Sequence, residues 1–443
     1  MKRFWAFFSL SVLMNAGLVS VGYAISLDLG ADDTVRAIAE EGKTSNEPSP
    51  AYFTQRLQLY MGTKLSKDVE AQFKLQSITP WGLEGSTTAA AVQNTRYPSA
   101  NGTPWIQTAF VRVPKIFNEP IQLTIGRQPI AWGDGLVLTD DELGFDAIRL
   151  QAASPWHGIP LDSDLFYAKI NEGLNRDFGL AGVLLGIGTE KTRRLEVYWL
   201  DEENGSGTPY QAGSETATVT SSQISRRFLG VRLAGMIKSA YYKLEYARQS
   251  GFARRFGSDP TLQGSALTFG TGGTLALRRL GQANGFFNFA MGSGDSPGDG
   301  TKDGAFRPTF AHRWDGLERS GYGRYFAATV SDAFSTGALF SNSSSAQTGL
   351  PPGTSGLQII GGGIGYSPTP PLKGTVAFFN YKSKENLIAS SNSLGSEADF
   401  ELSYQFTGFL SFRGTYARFA PGDAFSPNLQ TAHLTELEAQ LHF

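Results

Sequence analysis

The C-terminal segment from Leu434 to Phe443 alternates between polar and apolar side chains and ends on an aromatic residue. Its apolar parity holds Leu437, Ala439, Leu441 and Phe443, and its polar parity holds Glu436, Glu438, Gln440 and His442. Successive side chains of a β-strand point to opposite faces of the sheet. The segment is therefore predicted to be a strand with one apolar face and one polar face.

The same alternation runs through most of the chain after Ala51. Arg56, Gln58 and Tyr60 alternate with Leu57, Leu59 and Met61, and Arg194, Glu196 and Tyr198 alternate with Leu195, Val197 and Trp199. Each segment is about ten residues long, which is the length that a tilted strand needs to cross a membrane. A soluble sheet with one buried face would alternate in the same way, so this pattern alone leaves both classes of protein open.

The N-terminus has the features of an export signal. Met1 to Ala24 combines a basic start, an apolar run from Phe4 to Met14 and a small residue at position 24, which predicts a secretory signal peptide cleaved after Ala24. An uncleaved anchor is the alternative, but the apolar run is shorter than the roughly 20 residues of a spanning helix. The polar, acidic residues 25–50 are then expected to form a mobile periplasmic leader, and residues 51–443 a single membrane domain.

Composition narrows the classes of protein further. The chain has no cysteine, which excludes disulfides and thiol chemistry, and a net charge of −2, which argues against a nucleic-acid partner. No segment after the signal is apolar for long enough to span a membrane as a helix, although strands that face lipid on one side need only alternate. We therefore expect an all-β protein, a transmembrane antiparallel up-and-down β-barrel.

Two further patterns favour the cell outer membrane. The terminal strand resembles the closing strand of bacterial outer-membrane barrels, which the barrel-assembly machinery recognises. This resemblance implies that machinery, together with outer-membrane lipid and lipopolysaccharide, as partners. At roughly 23 residues for each strand and connection, the chain has room for about 18 strands. The strand count does not close: counted from the C-terminus, the long loop at residues 292–321 falls on the periplasmic side, and counted from the N-terminus, the long loop at residues 82–104 does. Either a strand is missing from the count or one long loop is periplasmic.

One stretch, Leu123 to Leu150, has a specific pattern. A strand ends in Gly126, Arg127 and Gln128, a loop carries Gly133 and Asp134, and the next strand carries Asp146, Ala147 and Arg149. A second stretch, residues 292–316, has a Gly-Asp-rich loop followed by Phe306, Pro308, His312 and Trp314. Together these motifs resemble the alginate-export family of outer-membrane proteins. The resemblance implies a monomeric barrel of about 18 strands with an electropositive constriction that passes an anionic polyuronate outward.

Six arginines fall on polar parities and are expected to line the lumen: Arg56, Arg112, Arg149, Arg194, Arg232 and Arg413. Arginines in a narrow pore favour anions and bind carboxylates through two hydrogen bonds. The alternative is that they pair with lumen carboxylates such as Glu70, Asp146, Glu196, Glu245 and Glu401 and only fill the barrel. Arg127 falls on the lipid parity, so we expect it beyond the membrane band or after a bulge.

Other chemistry has weaker support in the sequence. Asp295, Asp299 and Asp303 are interleaved with glycines and could bind calcium, or could form a solvated acidic loop that folds over the pore mouth. Only four histidines exist, none of them in a recognisable catalytic motif. A protease-like set would have to combine Asp140 and Asp141 with His157 or His312. We therefore expect no enzyme activity and no cofactor except possible calcium.

The pattern as a whole predicts an outer-membrane channel for passive passage of anionic solutes, either anionic polysaccharide or small anions. One alternative is a general porin, or an uptake channel for small organic acids or sugars. Another is a non-conducting adhesive or structural barrel whose long loops bind a partner.

Overall fold

The computed structural model describes residues 26–41, 51–66, 68–81, 102–117, 119–172, 177–205, 221–255, 260–296, 301–308, 310–312, 314–315, 318–330, 351, 354–386, 391–425 and 429–443. Within them, eighteen long strands form one closed antiparallel barrel. Each strand pairs with the next one in the chain, and the last strand pairs with the first. The predicted up-and-down β-barrel is confirmed.

The barrel strands are β1 (Ser26–Glu41), β2 (Ala51–Ser66), β3 (Val69–Trp81), β4 (Trp105–Val113), β5 (Ile121–Gln128), β6 (Phe145–Trp156), β7 (Ile159–Asn171), β8 (Phe178–Thr189), β9 (Arg193–Asn204), β10 (Ser221–Ile237), β11 (Ala240–Arg255), β12 (Thr261–Ala276), β13 (Gln282–Gly292), β14 (Thr354–Thr369), β15 (Leu372–Asn386), β16 (Ser393–Gln405), β17 (Leu410–Pro421) and β18 (Ala432–His442). Among the described residues, one 3-10 turn, Arg278–Leu280, precedes β13. Three two-residue strands, Lys302–Asp303, Trp314–Asp315 and Glu318–Arg319, lie between β13 and β14. None of the helical structure in the described residues is long and apolar enough to cross a membrane.

Strand β1 corrects the expected periplasmic leader. Residues 26–41 are not a mobile segment but the first wall strand, paired with β2 on one side and β18 on the other. Its acidic residues suggested solvent exposure, yet Arg36, Ile38 and Glu40 are buried on the lumen side. The rest of the proposed leader, residues 42–50, and the predicted signal peptide lie outside the described residues. Counting β1 also puts the loops at 82–104 and 292–321 at the same end of the barrel, which removes the conflict in the strand count.

The two faces of the wall follow the sequence alternation. On β2 the apolar side chains of Leu57, Leu59 and Met61 are 39%, 47% and 40% exposed, whereas Gln58 is 4% exposed. In a membrane barrel the apolar exposed parity meets lipid and the polar parity meets the lumen. The expected orientation of these segments is therefore the one observed.

The two ends of the barrel differ in their connections. Two-residue turns at 157–158, 238–239 and 370–371 lie at the same end as Ser26 and His442. Long connections, such as residues 129–144 and 293–353, lie at the other end. Because outer-membrane barrels have short periplasmic turns and longer extracellular loops, the short-turn end is periplasmic.

Two long extracellular connections fold back into the barrel. The first inner loop comprises residues 129–144, and the second inner loop comprises the described residues between 301 and 330. Both have buried apolar side chains, namely Trp132, Leu136, Val137 and Leu138 in the first loop and Phe306, Phe310, Tyr325 and Phe326 in the second. The loops also join each other through backbone hydrogen bonds from Thr139 to the Phe310 carbonyl at 2.7 Å and from His312 to the Gly135 carbonyl at 2.7 Å. The lumen is therefore narrowed by packed chain.

Candidate functional site

The first inner loop leaves the wall at the end of β5. Gly126 has φ of +118°, and a Cβ atom there would lie 2.4 Å from the carbonyl oxygen of Ala109 on β4. Glycine is favoured where the backbone takes such a conformation and approaches another strand so closely. The buried side chain of Gln128 donates from Nε2 to the carbonyl oxygen of Ala147 on β6 at 2.9 Å. These contacts fix the point at which the chain turns into the lumen.

Trp132 anchors the loop against the lumen wall. Its ring meets Phe166 edge-on, with the ring centroids 5.0 Å apart. Its Nε1 donates to Asp164 Oδ2 at 2.9 Å, so the buried indole has its hydrogen-bond partner. Trp132 is 3% exposed, which shows that the loop is part of the packed interior rather than a segment free in solvent.

Asp134 lies at the tip of the first inner loop and contacts the opposite wall. Gly133 takes the left-handed φ of +61° that brings Asp134 there. The Asp134 N–H donates to Glu245 Oε2 at 2.7 Å, and its Oδ1 accepts from Arg232 at 2.8 Å and from Lys243 at 3.0 Å. Burial raises the pKa of Asp134, but the hydrogen bonds and charges of Arg232 and Lys243 outweigh burial and hold the pKa below its ordinary value.

A cavity of about 540 Å³, here called the vestibule, lies between the wall strands, the first inner loop and the periplasmic connections. Three of the six predicted arginines, Arg149, Arg194 and Arg232, line it together. Arg149 binds Asp164 through two nitrogens at 2.8 and 2.5 Å. Parity on β6 predicts that Arg149 points inward, and it does.

The other two vestibule arginines are also paired. Arg194 holds Asp162 through two bonds of 2.7 Å and Glu196 through one of 2.6 Å. Arg232, whose side chain is 3% exposed, also contacts Glu196 at 3.1 Å and Glu190 at 2.7 Å. With Lys115, the lining has four basic side chains, and Asp162, Asp164, Glu190 and Glu196 make four acidic ones. The vestibule is thus rich in charge but formally balanced.

The remaining predicted arginines face the lumen elsewhere. Arg56 on β2 donates to Gln76 Oε1 at 2.7 Å and pairs with Glu142 at the far end of the first inner loop. Arg112 on β4 lies over the ring of Phe110, 5.1 Å from its centroid, with Glu70 at 3.8 Å. Arg413 on β17 pairs with Glu438 at 2.8 Å. The structure therefore does not gather the six arginines into one ring.

Arg127 keeps the outward parity that simple alternation gives it. It binds Asp146 through two bonds of 2.9 and 2.7 Å, where the register of β5 and β6 places the two residues opposite each other. Both lie beside the first inner loop, at the extracellular end of the wall. Asp146 is therefore not the lumen carboxylate that it was expected to be, because its parity is opposite to that of Arg149.

The predicted calcium ligands are only partly described, since Asp299 lies outside the described residues. Asp303 is buried and pairs with Arg307 at 2.7 Å, and Asp295 Oδ1 accepts from the Gly304 N–H at 2.9 Å. The residues that the structure describes contain no group of three or more acidic or histidine side chains that could hold a metal. Calcium binding stays a prediction.

A second cavity of about 250 Å³, here called the outer cavity, lies between the two inner loops and the wall of β11–β13. Its lining includes Asp134, Lys243, Asn288, His312 and Tyr322. His312 joins the loops, with Nδ1 at 2.6 Å from Asp141 and Nε2 at 3.1 Å from Asp315. The hydrogen bond from His312 lowers the pKa of Asp315. His157, the alternative partner considered for the Asp140–Asp141 pair, lies in a turn at the periplasmic end.

Several lumen residues were missed by the sequence reasoning. Arg36 binds Glu436 through bonds of 2.9 and 2.8 Å, and Arg226 binds Glu202 through two bonds of 3.0 Å. Arg36 was missed because its strand was taken for a leader. Lys243 shares the polar parity of Glu245, so alternation does place it in the lumen, but its partner Asp134 comes from a loop that no period describes.

Comparison with known proteins gives one family. The family model for alginate export matches residues 43–325, which is more than half of the chain. No curated protein matches the sequence.

The fold is similar to three solved structures from Pseudomonas aeruginosa. OccK9 (OpdG) has a TM-score of 0.56 at 8% identity, covering 94% of this chain and 99% of its own. The outer membrane protein opdK gives 0.52 at 11% identity, and OccK5 (OpdH) gives 0.51 at 10%, each covering 94% of this chain and 98% of its own. At such identities the similarity establishes the fold alone.

Proposed function

Since the chain belongs to the alginate-export family, we propose that it passes carboxylate-bearing solutes, with an anionic polysaccharide as the first candidate cargo. Its location is the outer membrane, and the family and the barrel neighbours point to a channel rather than an enzyme. The observation that carries the anionic cargo is the convergence of Arg149, Arg194 and Arg232 on the vestibule.

Guanidinium chemistry supports a carboxylate cargo. Arginine presents five N–H donors in a planar fork that fits a carboxylate through two parallel bonds. Arg149 and Arg194 already hold aspartates in this way, with bonds between 2.5 and 2.8 Å. A passing uronate can take up the same donors in turn. Because the lining is charge-balanced, we expect the arginines to bind carboxylates locally rather than to exclude all cations.

The proposed passage is passive. The solute diffuses down its gradient from the vestibule past the inner loops, without a cofactor or nucleotide. We further propose that a monomer conducts, that the barrel-assembly machinery inserts it among outer-membrane lipid and lipopolysaccharide, and that any calcium would bind around Asp295 and Asp303.

The test is ion current across a planar bilayer that contains the refolded protein, in a salt gradient, with polyuronate or neutral dextran added. We expect an anion-favouring reversal potential and a block by polyuronate at concentrations where dextran has no effect. The double variant Arg149→Glu/Arg194→Glu should shift the reversal potential towards cations and abolish the block.

A charge-matched control is the double variant Arg248→Glu/Arg418→Glu, on the outward faces of β11 and β17. It should leave reversal potential and block unchanged, because these side chains lie on the other side of the wall from the lumen. If the control matches the vestibule variant, the vestibule arginines do not set selectivity. A wild-type pore that polyuronate and dextran affect equally would contradict the anionic cargo.

A second candidate is an uptake channel for small organic acids or sugars. The outer cavity favours it, because about 250 Å³ suits a monomer better than a polymer segment. In that case free glucuronate would permeate and polyuronate would not. A silent barrel with no current in any condition would instead support an adhesive or structural role.

A further inference from the structure

We propose that Arg232 and Lys243 form a carboxylate-binding subsite at the neck between the vestibule and the outer cavity, and that Asp134 occupies this subsite in place of the cargo. The subsite rests on the proposed function, because it requires a cargo that carries carboxylates. The structure shows the closed state, in which Asp134 occupies the subsite.

The position of Asp134 defines the neck. Arg232 lines the vestibule, whereas Lys243 lines the outer cavity, and one oxygen of Asp134 accepts from both, at 2.8 and 3.0 Å. The two cations therefore meet at a single carboxylate between two open volumes. A solute that takes this route between the two cavities meets this group.

Asp134 differs from the wall carboxylates in how its backbone is held. Asp162 and Glu196 lie within strands and are in register with both neighbouring strands at these positions. The Asp134 N–H instead donates to the side chain of Glu245, whose other oxygen accepts from Tyr198 at 2.7 Å, and the next residue, Gly135, is held by backbone bonds to Trp132 and His312. A change of the Asp134 rotamer can release the two cations while the buried part of the loop, around Trp132, stays in place.

If a cargo carboxylate replaces that of Asp134, the contact can block the neck at rest and still admit solutes that carry a carboxylate. Arg232 has a 3% exposed side chain, and leaving a buried charge with fewer partners is costly. A neutral sugar cannot replace the lost charge, whereas a uronate carboxylate can. We infer that the neck opens to carboxylates and resists neutral solutes of the same size.

The experiment compares the block of ion current by glucuronate and by glucose in wild type, Asp134→Asn and Asp201→Asn. The two variants remove the same charge from an arginine pair, but Asp201 pairs with Arg227 at 3.1 Å on the outward face of the wall. We expect Asp134→Asn to raise the conductance and to lower the half-blocking glucuronate concentration at least tenfold, because the internal competitor is gone. Asp201→Asn should change that concentration less than threefold, and glucose should not block any of the channels.

A second pair of variants keeps the test decisive if Asp134→Asn fails to fold. Asp134→Ser should show the same gain, and Asp134→Ser/Lys243→Gln should lose it, because the subsite then lacks one cation. Equal glucuronate block in wild type and in both Asp134 variants would overturn the subsite. So would a gain of the same size in Asp201→Asn.

The outcome separates the two proposals. Tighter glucuronate block in Asp134→Asn, together with a wild-type pore that polyuronate neither blocks nor crosses, supports the subsite and rejects the polysaccharide cargo. Polyuronate-specific block in wild type, with glucuronate block unchanged by Asp134→Asn, supports the cargo and rejects the subsite.

Discussion

The lumen contains two arginine clusters built from the same chemistry but placed in different surroundings. The seam cluster consists of Arg36, Arg413, Glu436 and Glu438, on β1, β17 and β18, where β18 pairs with the other two strands. Its central pair, Arg36 and Glu436, has side chains that are 7% and 3% exposed. In the vestibule, Arg194 and Asp162 are 19% and 31% exposed and border a cavity of about 540 Å³.

This difference indicates that an arginine side chain that points into the lumen does not necessarily border the open part of the pore. In the seam cluster the partners come from adjacent wall strands and its central pair is nearly free of solvent, so the ion pairs hold strands together. In the vestibule the partners come from wall strands, a periplasmic turn and an inner loop, and they border open volume. We therefore propose that Arg36 and Arg413 serve wall stability and that Arg149, Arg194 and Arg232 serve passage.

The largest expected effect is on stability at the seam. Arg36→Met should lower the free energy of unfolding by about 3–5 kcal/mol, because the buried Glu436 loses its two hydrogen bonds to Arg36 and, among the described residues, keeps only Arg413, at 3.6 Å. Urea-induced unfolding in lipid vesicles measures the loss, and the reversal potential should not move. In the double variant Arg36→Met/Glu436→Met most of the stability should return, since apolar side chains can replace a buried pair. A double variant as unstable as the single one would contradict this account.

Arg194→Met should change ion selectivity more than it changes stability. Its pair is more exposed, so we expect a loss of about 1–3 kcal/mol in unfolding free energy. The same bilayer measurement should show a reversal potential displaced towards cations, because Asp162 and Glu196 are left without their shared cation. Unchanged selectivity would place Arg194 with the seam residues.

Trp132→Phe tests the link between the first inner loop and the vestibule. The substitution keeps an aromatic ring but removes the hydrogen bond to Asp164, which should cost about 1 kcal/mol. More frequent brief openings in single-channel records are the expected sign of a looser loop. Records identical to wild type would mean that packing alone holds the loop.

The smallest effect is the pH response of the Asp134 contact. Its pKa is lowered, so the contact with Arg232 and Lys243 persists at all pH values above 3.8, its ordinary value. The contact is lost as the pH falls through the lowered value, while Glu245 faces the same tip from β11. Wild-type conductance should rise only below about pH 4 and approach that of Asp134→Asn. A wild-type conductance that already rises towards that of Asp134→Asn well above pH 4 would argue against this titration.

The fold prediction rests on the two-residue alternation of polar and apolar side chains along the chain. It oriented Arg56, Arg149 and Glu196 correctly, because a strand in a closed barrel has only two faces. It was not recognised in β1, where Asp33 interrupts an apolar outward parity that includes Leu27, Leu29 and Val35. That carboxylate accepts from Gln55 Nε2 at 3.0 Å, a cross-strand contact that only the register reveals.

The candidate site was less predictable than the wall. Alternation placed Arg232 and Lys243 in the lumen, but nothing local in the sequence shows that Asp134 joins them across the barrel. Gly133 and Asp134 indicate a turn in this loop, but they do not show whether the loop folds into the lumen or away from it. The inward fold depends on the burial of Trp132 and Leu138 against distant strands, and such contacts have no sequence period.

The seam also bears on how the barrel reaches its native state. Arg36 and Glu436 are 400 residues apart in the chain, so joining their strands closes the longest loop of the fold. Loop closure over such a length costs on the order of 5 kcal/mol of chain entropy. Contacts between distant segments form late, because the chain loses this entropy before the contacts can stabilise the fold. The seam should accordingly form last, which leaves an unclosed sheet with two free edges as the species most exposed to aggregation.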